Sequence, residues 1–248
     1  MEGHGPESFG ELNAEDYDAQ YGDAMATETQ DSAERLAELA GGGRALELAI
    51  GTGRVALPLS ERGVAVHGIE ASAKMAEKLH AKPGGDAIPV VIGDMAEARA
   101  EGTFDLVYLV FNTIFNLTTQ EAQARCFANA ARHLNEGGVF VVETVVPDLS
   151  QFVDGQRMKA SWARMDSARF EIATHDRVGQ IIDFQRIVIS EGQTRMRPHT
   201  MRYAWPSELD LMARLAGLER RERWAWWDRS PFTAESKSHV SVYAKPAG

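Results

Sequence analysis

A chain of 248 residues, 44% of them hydrophobic, can bury one core of ordinary size. A formal net charge of −10 sets the overall field against a nucleic-acid duplex, and no apolar run approaches the roughly 18 residues of a membrane span. The single cysteine, Cys126, excludes an intrachain disulfide and a cysteine-based zinc cluster and reads as a small buried residue on a helix. Residues 1–10 do not read as a signal peptide. The expectation is a soluble cytoplasmic protein, with neither nucleic acid nor membrane as partner.

Along the chain, residues 1–36 are rich in acids, with no lysine or arginine before Arg35, and form a helical cap segment. Tyr17, Tyr21 and Met25, spaced by four, would share one helical face, which packs on the domain or closes over a site. Residues 37–146 alternate apolar runs with helical patterns. "RALELAI", "VAVHGIE", "IPVVIGD", "FDLVYLVFN" and "GVFVVETVV" read as strands; "ASAKMAEKLH" and "TQEAQARCFANAARHLN" have the 3.6-residue period of helices. A further helix, "TGRVALPLSERG", contains Pro58, which predicts strain or an unusual packing there. Strands apolar throughout and separated by helices predict a doubly wound α/β core, a parallel sheet covered on both faces.

Residues 147–205 break this alternation. "RFEIATHDRVG", "QIIDFQRIVIS" and "TRMRPHTMRYAW" predict three antiparallel strands with one wet face, an insert after the fifth core strand. Residues 206–248 add a helix opened by Pro206 and Ser207 and closed at Gly217, then two last strands. In the first of these, Trp224, Trp226 and Trp227 would alternate in and out.

The chemistry sits around "ALELAIGTGRVA". Its Gly51-Thr52-Gly53-Arg54-Val55-Ala56 fits the turn G-x-G-x-x-G/A, in which backbone N–H groups approach a ligand closely. Glu70, 17 positions beyond Gly53, suits the ribose of a dinucleotide or of another nucleoside equally well. Other features separate the two. Glu47, beside the turn, repels a pyrophosphate but can hold the charged amino-acid end of S-adenosylmethionine. Asp94, in "IGDMAE", suits an adenine amino group, with Met95 beside the ring. "FDLVYLVFNTIFNL" and "LNEGGVFVVE" then supply a fourth strand, a helix, a Gly-Gly turn and a fifth strand.

Over residues 40–145 these features resemble the class I S-adenosylmethionine-dependent methyltransferases. Glu47-Leu48-Ala49-Ile50-Gly51-Thr52-Gly53 stands where that family has an acid and then Gly-x-Gly-x-Gly, with Ala49 in place of the first glycine. The resemblance implies a doubly wound seven-stranded, Rossmann-like methyltransferase core with the antiparallel β insert after its fifth strand. It implies S-adenosyl-L-methionine as cofactor, S-adenosyl-L-homocysteine as product, and no metal. The cofactor residues it implies are Glu47, Ala49, Gly51, Gly53, Glu70, Ala71, Met75, Asp94, Met95 and Val110, the last lining the sulfonium and methyl.

The tyrosine-bearing N-terminal segment and the insert are similar to those of the glycine N-methyltransferase type and the amino-sugar N-methyltransferases of antibiotic pathways. That implies N- or O-methylation of a small acceptor such as a secondary metabolite or sugar. C-methylation, or a cofactor-binding protein without transfer such as a cyclase, stays open, and an NAD-dependent oxidoreductase is the contrasting reading. Acceptor-binding candidates are Tyr17, Tyr21, Phe111, Asn112, Phe115, Asn116, Trp162 and Arg197. Phe111 and Phe115 would wall the pocket, or serve as ordinary core. Candidate bases are His175, Asp176, His199 and Asp228, of which His199 is preferred because it lies on an insert strand beside Arg197. The insert either roofs the site or buries its apolar face in a homodimer, so monomer and homodimer are both expected states.

Overall fold

The computed structural model describes residues 5, 7–21 and 25–247, apart from the side chains of residues 20 and 21. Five strands alternate with helices in the first part: β1 (Arg44–Leu48), β2 (Ala65–Glu70), β3 (Val90–Ile92), β4 (Phe104–Leu109) and β5 (Leu134–Val145). The helices before and between them are α1 (Ser8–Asn13), α2 (Tyr17–Tyr21), α3 (Ala26–Ala40), α4 (Ala56–Glu61), α5 (Ala73–His80) and α6 (Gln120–His133). The insert follows as β6 (Gln156–Ala163), β7 (Ser167–Asp176), β8 (Ile181–Ser190) and β9 (Gln193–Arg202). The chain then returns through α7 (Pro206–Leu215), β10 (Glu219–Trp224) and β11 (Ser238–Ala244).

The main sheet has seven strands in the order β10-β11-β5-β4-β1-β2-β3. Its pairings are parallel except those of β11, which runs antiparallel to both β5 and β10. The two-residue period of a strand splits its side chains between two cores. In β4, Val107 and Leu109 pack with Cys126 and Phe127 of α6 and Leu209 of α7, whereas Leu106 and Tyr108 pack with Leu36 of α3 and Leu59 of α4. The strand order reverses between β1 and β4, which opens a crevice at their carboxyl ends, where open α/β sheets bind ligands.

Several expectations are corrected. The insert has four strands, not three. The missed one, β6, is an edge strand with a largely exposed sequence and a bulge between Ala160 and Trp162, so no apolar alternation marks it. Pro58 is the third residue of α4, in a first turn whose N–H groups have no intrahelical acceptor, so it costs no helical hydrogen bond and the expected strain is absent. Tyr17, Tyr21 and Met25 do not form one helical face, because α2 ends at Tyr21 and Met25 caps the separate helix α3. The expected Gly-Gly turn lies inside β5, where Gly137 (φ +77°) accompanies a register shift against β4. β10 ends at Trp224, and Trp227 is buried from the turn beyond it. Among the described residues no helix is long and apolar enough to cross a membrane.

Candidate active site

A cleft of about 330 Å³ opens over the carboxyl ends of β1 to β5. Three short sequences form its floor: the turn after β1, the β2–α5 junction, and the residues after β3. The turn after β1 holds three left-handed residues, Ala49 (φ +56°), Gly51 (φ +59°) and Gly53 (φ +79°). An alanine in that conformation costs about 1 kcal/mol, which explains why a glycine is the easier residue at position 49. Ala49 and Gly51 line the cleft, and a Cβ on Gly51 would meet nothing within 4 Å, so any side chain there would project into open cleft.

Gly53 is different. It does not line the cleft, and a Cβ there would stand 2.3 Å from Leu79 Cδ1, a fully buried side chain of α5. It is a packing glycine between the turn and α5, and its expected place among the ligand-lining residues is corrected. Gly53→Ala is therefore expected to lower stability by about 1–3 kcal/mol through overpacking and a left-handed alanine. The check is a lowered melting temperature together with unimpaired ligand binding by the folded protein.

Glu70, only 7% exposed, ends β2 at the cleft. Its Oε2 accepts the Gly51 N–H at 2.8 Å and its Oε1 accepts the Ser72 N–H at 2.9 Å, so one carboxylate ties the two loops together. Burial raises its pKa, and the N–H bonds from Ser72, Gly51 and Ala71 oppose that rise. Ala71 and Met75 line the cleft beside it; Asp94 and Met95 line it after β3. Asp94 Oδ1 accepts the Ala96 N–H at 2.8 Å, which fixes the carboxylate in a tight turn.

Glu47 and Val110 lie one step away, in a small recess that shares Tyr17, Ala49, Gly51, Phe111 and Thr113 with the cleft. Tyr108 donates its hydroxyl to Glu47 Oε2 at 2.8 Å. Burial pushes the Glu47 carboxyl up to about 8, against the lowering effects of that bond and of Arg54.

Beyond β4 the backbone turns sharply. Phe111 and Asn112 both have φ +60°, and both line the cleft. The Phe111 N–H donates to Glu143 Oε2 at 3.2 Å, the Asn112 N–H donates to the Glu143 carbonyl at 3.2 Å, and Asn112 Oδ1 accepts the Val145 N–H at 2.6 Å. Non-glycine residues hold such a conformation only where their surroundings fix it, and β5 does so here. Asn116 also reaches the cleft, but Phe115 does not: it is buried in the core.

The roof comes from the N-terminal segment and from the insert. Phe9 and Gly10 of α1 and Tyr17 of α2 cover the cleft, opposite Arg186, His199 and Met201 of the insert. A Cβ on Gly10 would sit 2.4 Å from Ser72 Cβ, so only glycine lets α1 lie against the start of α5. The acid-rich segment is held by basic side chains around the rim: Glu11 pairs with Lys74 at 2.7 Å, Asp18 with Lys82 at 2.8 Å, and Asp16 with Arg197. Arg197 is thus a tether of the roof rather than a lining residue. Tyr21 belongs to α2, and its side chain lies outside the described residues.

His199 does line the cleft, with its ring 5.1 Å from Phe9 and stacked 6.2 Å from Phe184. Burial, aided by the Arg186 charge, lowers its pKa to about 4, so the ring is neutral at pH 7. The other candidate bases lie outside the cleft. His175 contacts the Tyr203 hydroxyl at 3.1 Å, Asp176 accepts from the Val178 N–H, and Asp228 accepts from the Ser230 N–H. Trp162 is also outside, on the insert strand farthest from β9, beneath Arg164. Phe9, Gly10, Arg186 and Met201 join the site without any sequence motif to mark them. Among the described residues no group of three or more His, Cys, Asp or Glu side chains is arranged to hold a metal ion.

Residues 45–138 match the family model described as a methyltransferase domain. Over 200 residues the chain is 29% identical to the cypemycin N-terminal methyltransferase of a Streptomyces species, covering 79% of this chain and 81% of that one. It is similar to the CcbJ methyltransferase of Streptomyces caelestis at a TM-score of 0.91 and 38% identity, covering 98% of this chain and all of the other. It also shares its fold with the S-adenosylmethionine-bound CalS10 of Micromonospora echinaspora, an amino pentose methyltransferase involved in calicheamicin biosynthesis. That TM-score is 0.68 at 22% identity, over 88% of this chain and 90% of that one.

Proposed function

The chain belongs to the S-adenosylmethionine-dependent methyltransferases, and from that premise we propose that it methylates an amine nitrogen of a small-molecule acceptor. One observation carries the choice of nitrogen: His199, the imidazole at the cleft, is packed against Phe9 and Phe184 beside the charge of Arg186, surroundings that hold the ring neutral and make it a weak base. Such a weak base gains little by taking a proton from a hydroxyl, whereas a neutral amine already has a lone pair for in-line attack. The names of the similar proteins, an N-terminal methyltransferase and an amino pentose methyltransferase, point the same way.

The residues of the cleft floor fit the cofactor. Gly51 leaves open space, Glu70 can accept ribose hydroxyls, Asp94 can accept an adenine amino group, and Ala71, Met75 and Met95 offer apolar contact. The cofactor supplies an activated methyl group on a sulfonium, which is why we assign the reaction no metal. What remains for the chain is to align the acceptor and exclude water, and the roof of α1, α2 and the insert serves that purpose. Transfer from labelled cofactor to matched amines and alcohols tests the reading. N-methylated products are expected, with rates that climb as the amine deprotonates, and O-methylated products would overturn it.

Glu47 provides a separate check. With its carboxyl pushed to about 8 it is largely protonated at pH 7. An ammonium group of a ligand beside it favours the carboxylate, so binding S-adenosylhomocysteine at pH 7 is expected to release a proton. Affinity should climb as pH is raised toward 8 and level off above it. Calorimetry in buffers of different ionisation heat reads the proton count, and Glu47→Gln should abolish the release.

A further inference from the structure

We propose that Arg54 is a positioning residue that couples the two halves of the cleft, steadying the Glu47 carboxyl on the cofactor side and the Phe111 turn on the acceptor side. This rests on the reading of Glu47 as the partner of the cofactor's ammonium. Arg54 follows Gly53 and lines the recess behind the cleft floor, where it is the only lysine or arginine among the described lining residues. It does not line the cleft itself.

The guanidinium is held at two points. Its Nη1 donates to Thr29 Oγ1 of α3 at 2.9 Å, and its Cζ lies over the Phe111 ring, 4.8 Å from the centroid. Its Nε is buried with no acceptor among the described residues. Two buried carboxyls feel its charge, Glu47 of β1 and Glu143 of β5, and in both it favours the ionised form. Glu143 also accepts the Phe111 N–H, so the ring and the backbone of this left-handed residue are gripped by two members of one charge cluster. A buried donor without an acceptor destabilises a fold, and here it belongs to a cation beside a carboxyl that is largely protonated at pH 7. When a ligand ammonium draws the proton off Glu47, the guanidinium gains an anion in a low-dielectric recess. The other titratable groups about Glu47 are Tyr108 of β4, which donates its hydroxyl, Glu70 of β2, whose charge opposes ionisation, and Tyr17 of α2 in the same recess. Arg54 is the cation of that set, and through Phe111 and Asn112 it reaches the opposite wall of the cleft.

The test measures the affinity of the full chain for S-adenosylhomocysteine by calorimetry between about pH 6.5 and 9.5, together with amide exchange at Phe111 and Asn112. Arg54→Gln is expected to bind about threefold to tenfold more weakly at pH 7, because Glu47 is harder to ionise without the neighbouring positive charge. The deficit should shrink as pH rises, and the pH at which affinity levels off should move upward. In a Glu47→Gln background the same substitution should change affinity by less than about twofold. Exchange at Phe111 and Asn112 should quicken. Arg54→Lys keeps the charge but not the planar stack, so it should hold the wild-type pH profile while exchange still quickens. No deficit in Arg54→Gln, a deficit equal at every pH, or one that persists in Glu47→Gln overturns the inference, as do unmoved exchange rates at both amides. Should Arg54→Gln not fold, Arg54→Lys decides alone: a deficit equal at every pH, or unmoved exchange, overturns the inference. A wild-type affinity that is flat with pH overturns instead the reading of Glu47 beneath it.

Discussion

Gly51→Val is expected to give a folded protein whose affinity for S-adenosylhomocysteine has fallen by more than about a hundredfold. Gly51 sits at φ +59° on the cleft floor, and a Cβ built there meets no atom within 4 Å. The valine side chain therefore displaces no protein atom; it takes up space that the ligand needs. A left-handed β-branched residue adds strain of about 1–2 kcal/mol, within the stability margin of an ordinary domain. Circular dichroism and thermal melting should report a native fold, while calorimetry reports lost binding. Gly51→Ala, with one methyl and less strain, should lie between. Normal binding by Gly51→Val would mean that the cofactor approaches some other turn, and binding of NADH in place of S-adenosylhomocysteine would return the loop to the dinucleotide class.

The contrast between Gly51 and Gly53 shows where sequence reasoning stops. The two glycines are interchangeable in a G-x-G pattern, yet Gly51 faces the cleft and Gly53 faces Leu79 of α5. Only the packing of a distant helix distinguishes them. The core strands were legible because strands buried on both faces must be apolar throughout, and the acids at the tips of β2 and β3 were legible because turn chemistry places them at short, fixed offsets from those strands. Of the two readings left open for Phe115, the structure shows ordinary core, for a local reason. It is four residues from Phe111, but the segment is a 3₁₀ turn (Thr113–Asn116) that follows two left-handed residues, and it carries Phe115 into the core. Trp162 lies on β6, the insert strand that no apolar alternation marks, so its place on the far edge from the site was not legible. Phe9 and Arg186 reach the cleft only because α1 docks on α5 and the insert folds back over the main sheet. Neither event leaves a motif in the chain.

Glu70→Ala is expected to weaken S-adenosylhomocysteine binding by about tenfold to a hundredfold, or about 1.5–3 kcal/mol, the scale of a buried charge-assisted hydrogen-bond pair. In the protein this carboxylate already accepts N–H groups from Gly51 and Ser72, and each of its oxygens has a further lone pair for a ligand hydroxyl. Alanine would thus act twice, removing the ribose acceptor and leaving the backbone donors of Gly51 and Ser72, among others, without their partner. The loops after β1 and β2 should loosen, and amide exchange at Gly51 and Ser72 should quicken with the loss of affinity. Glu70→Gln separates the two effects. Its amide oxygen can keep one N–H, but its NH₂ group faces the other donor and cannot accept. Burial raises the Glu70 pKa, so charging the folded-state carboxylate opposes folding as pH rises above the ordinary glutamate value. The neutral amide avoids that cost and offsets part of the lost bond. Glu70→Gln should therefore melt closer to wild type than Glu70→Ala does, yet bind S-adenosylhomocysteine almost as poorly. If a folded Glu70→Ala protein binds with unchanged affinity, the carboxylate is a loop tie alone, and the ribose must be held by some other group in the cleft.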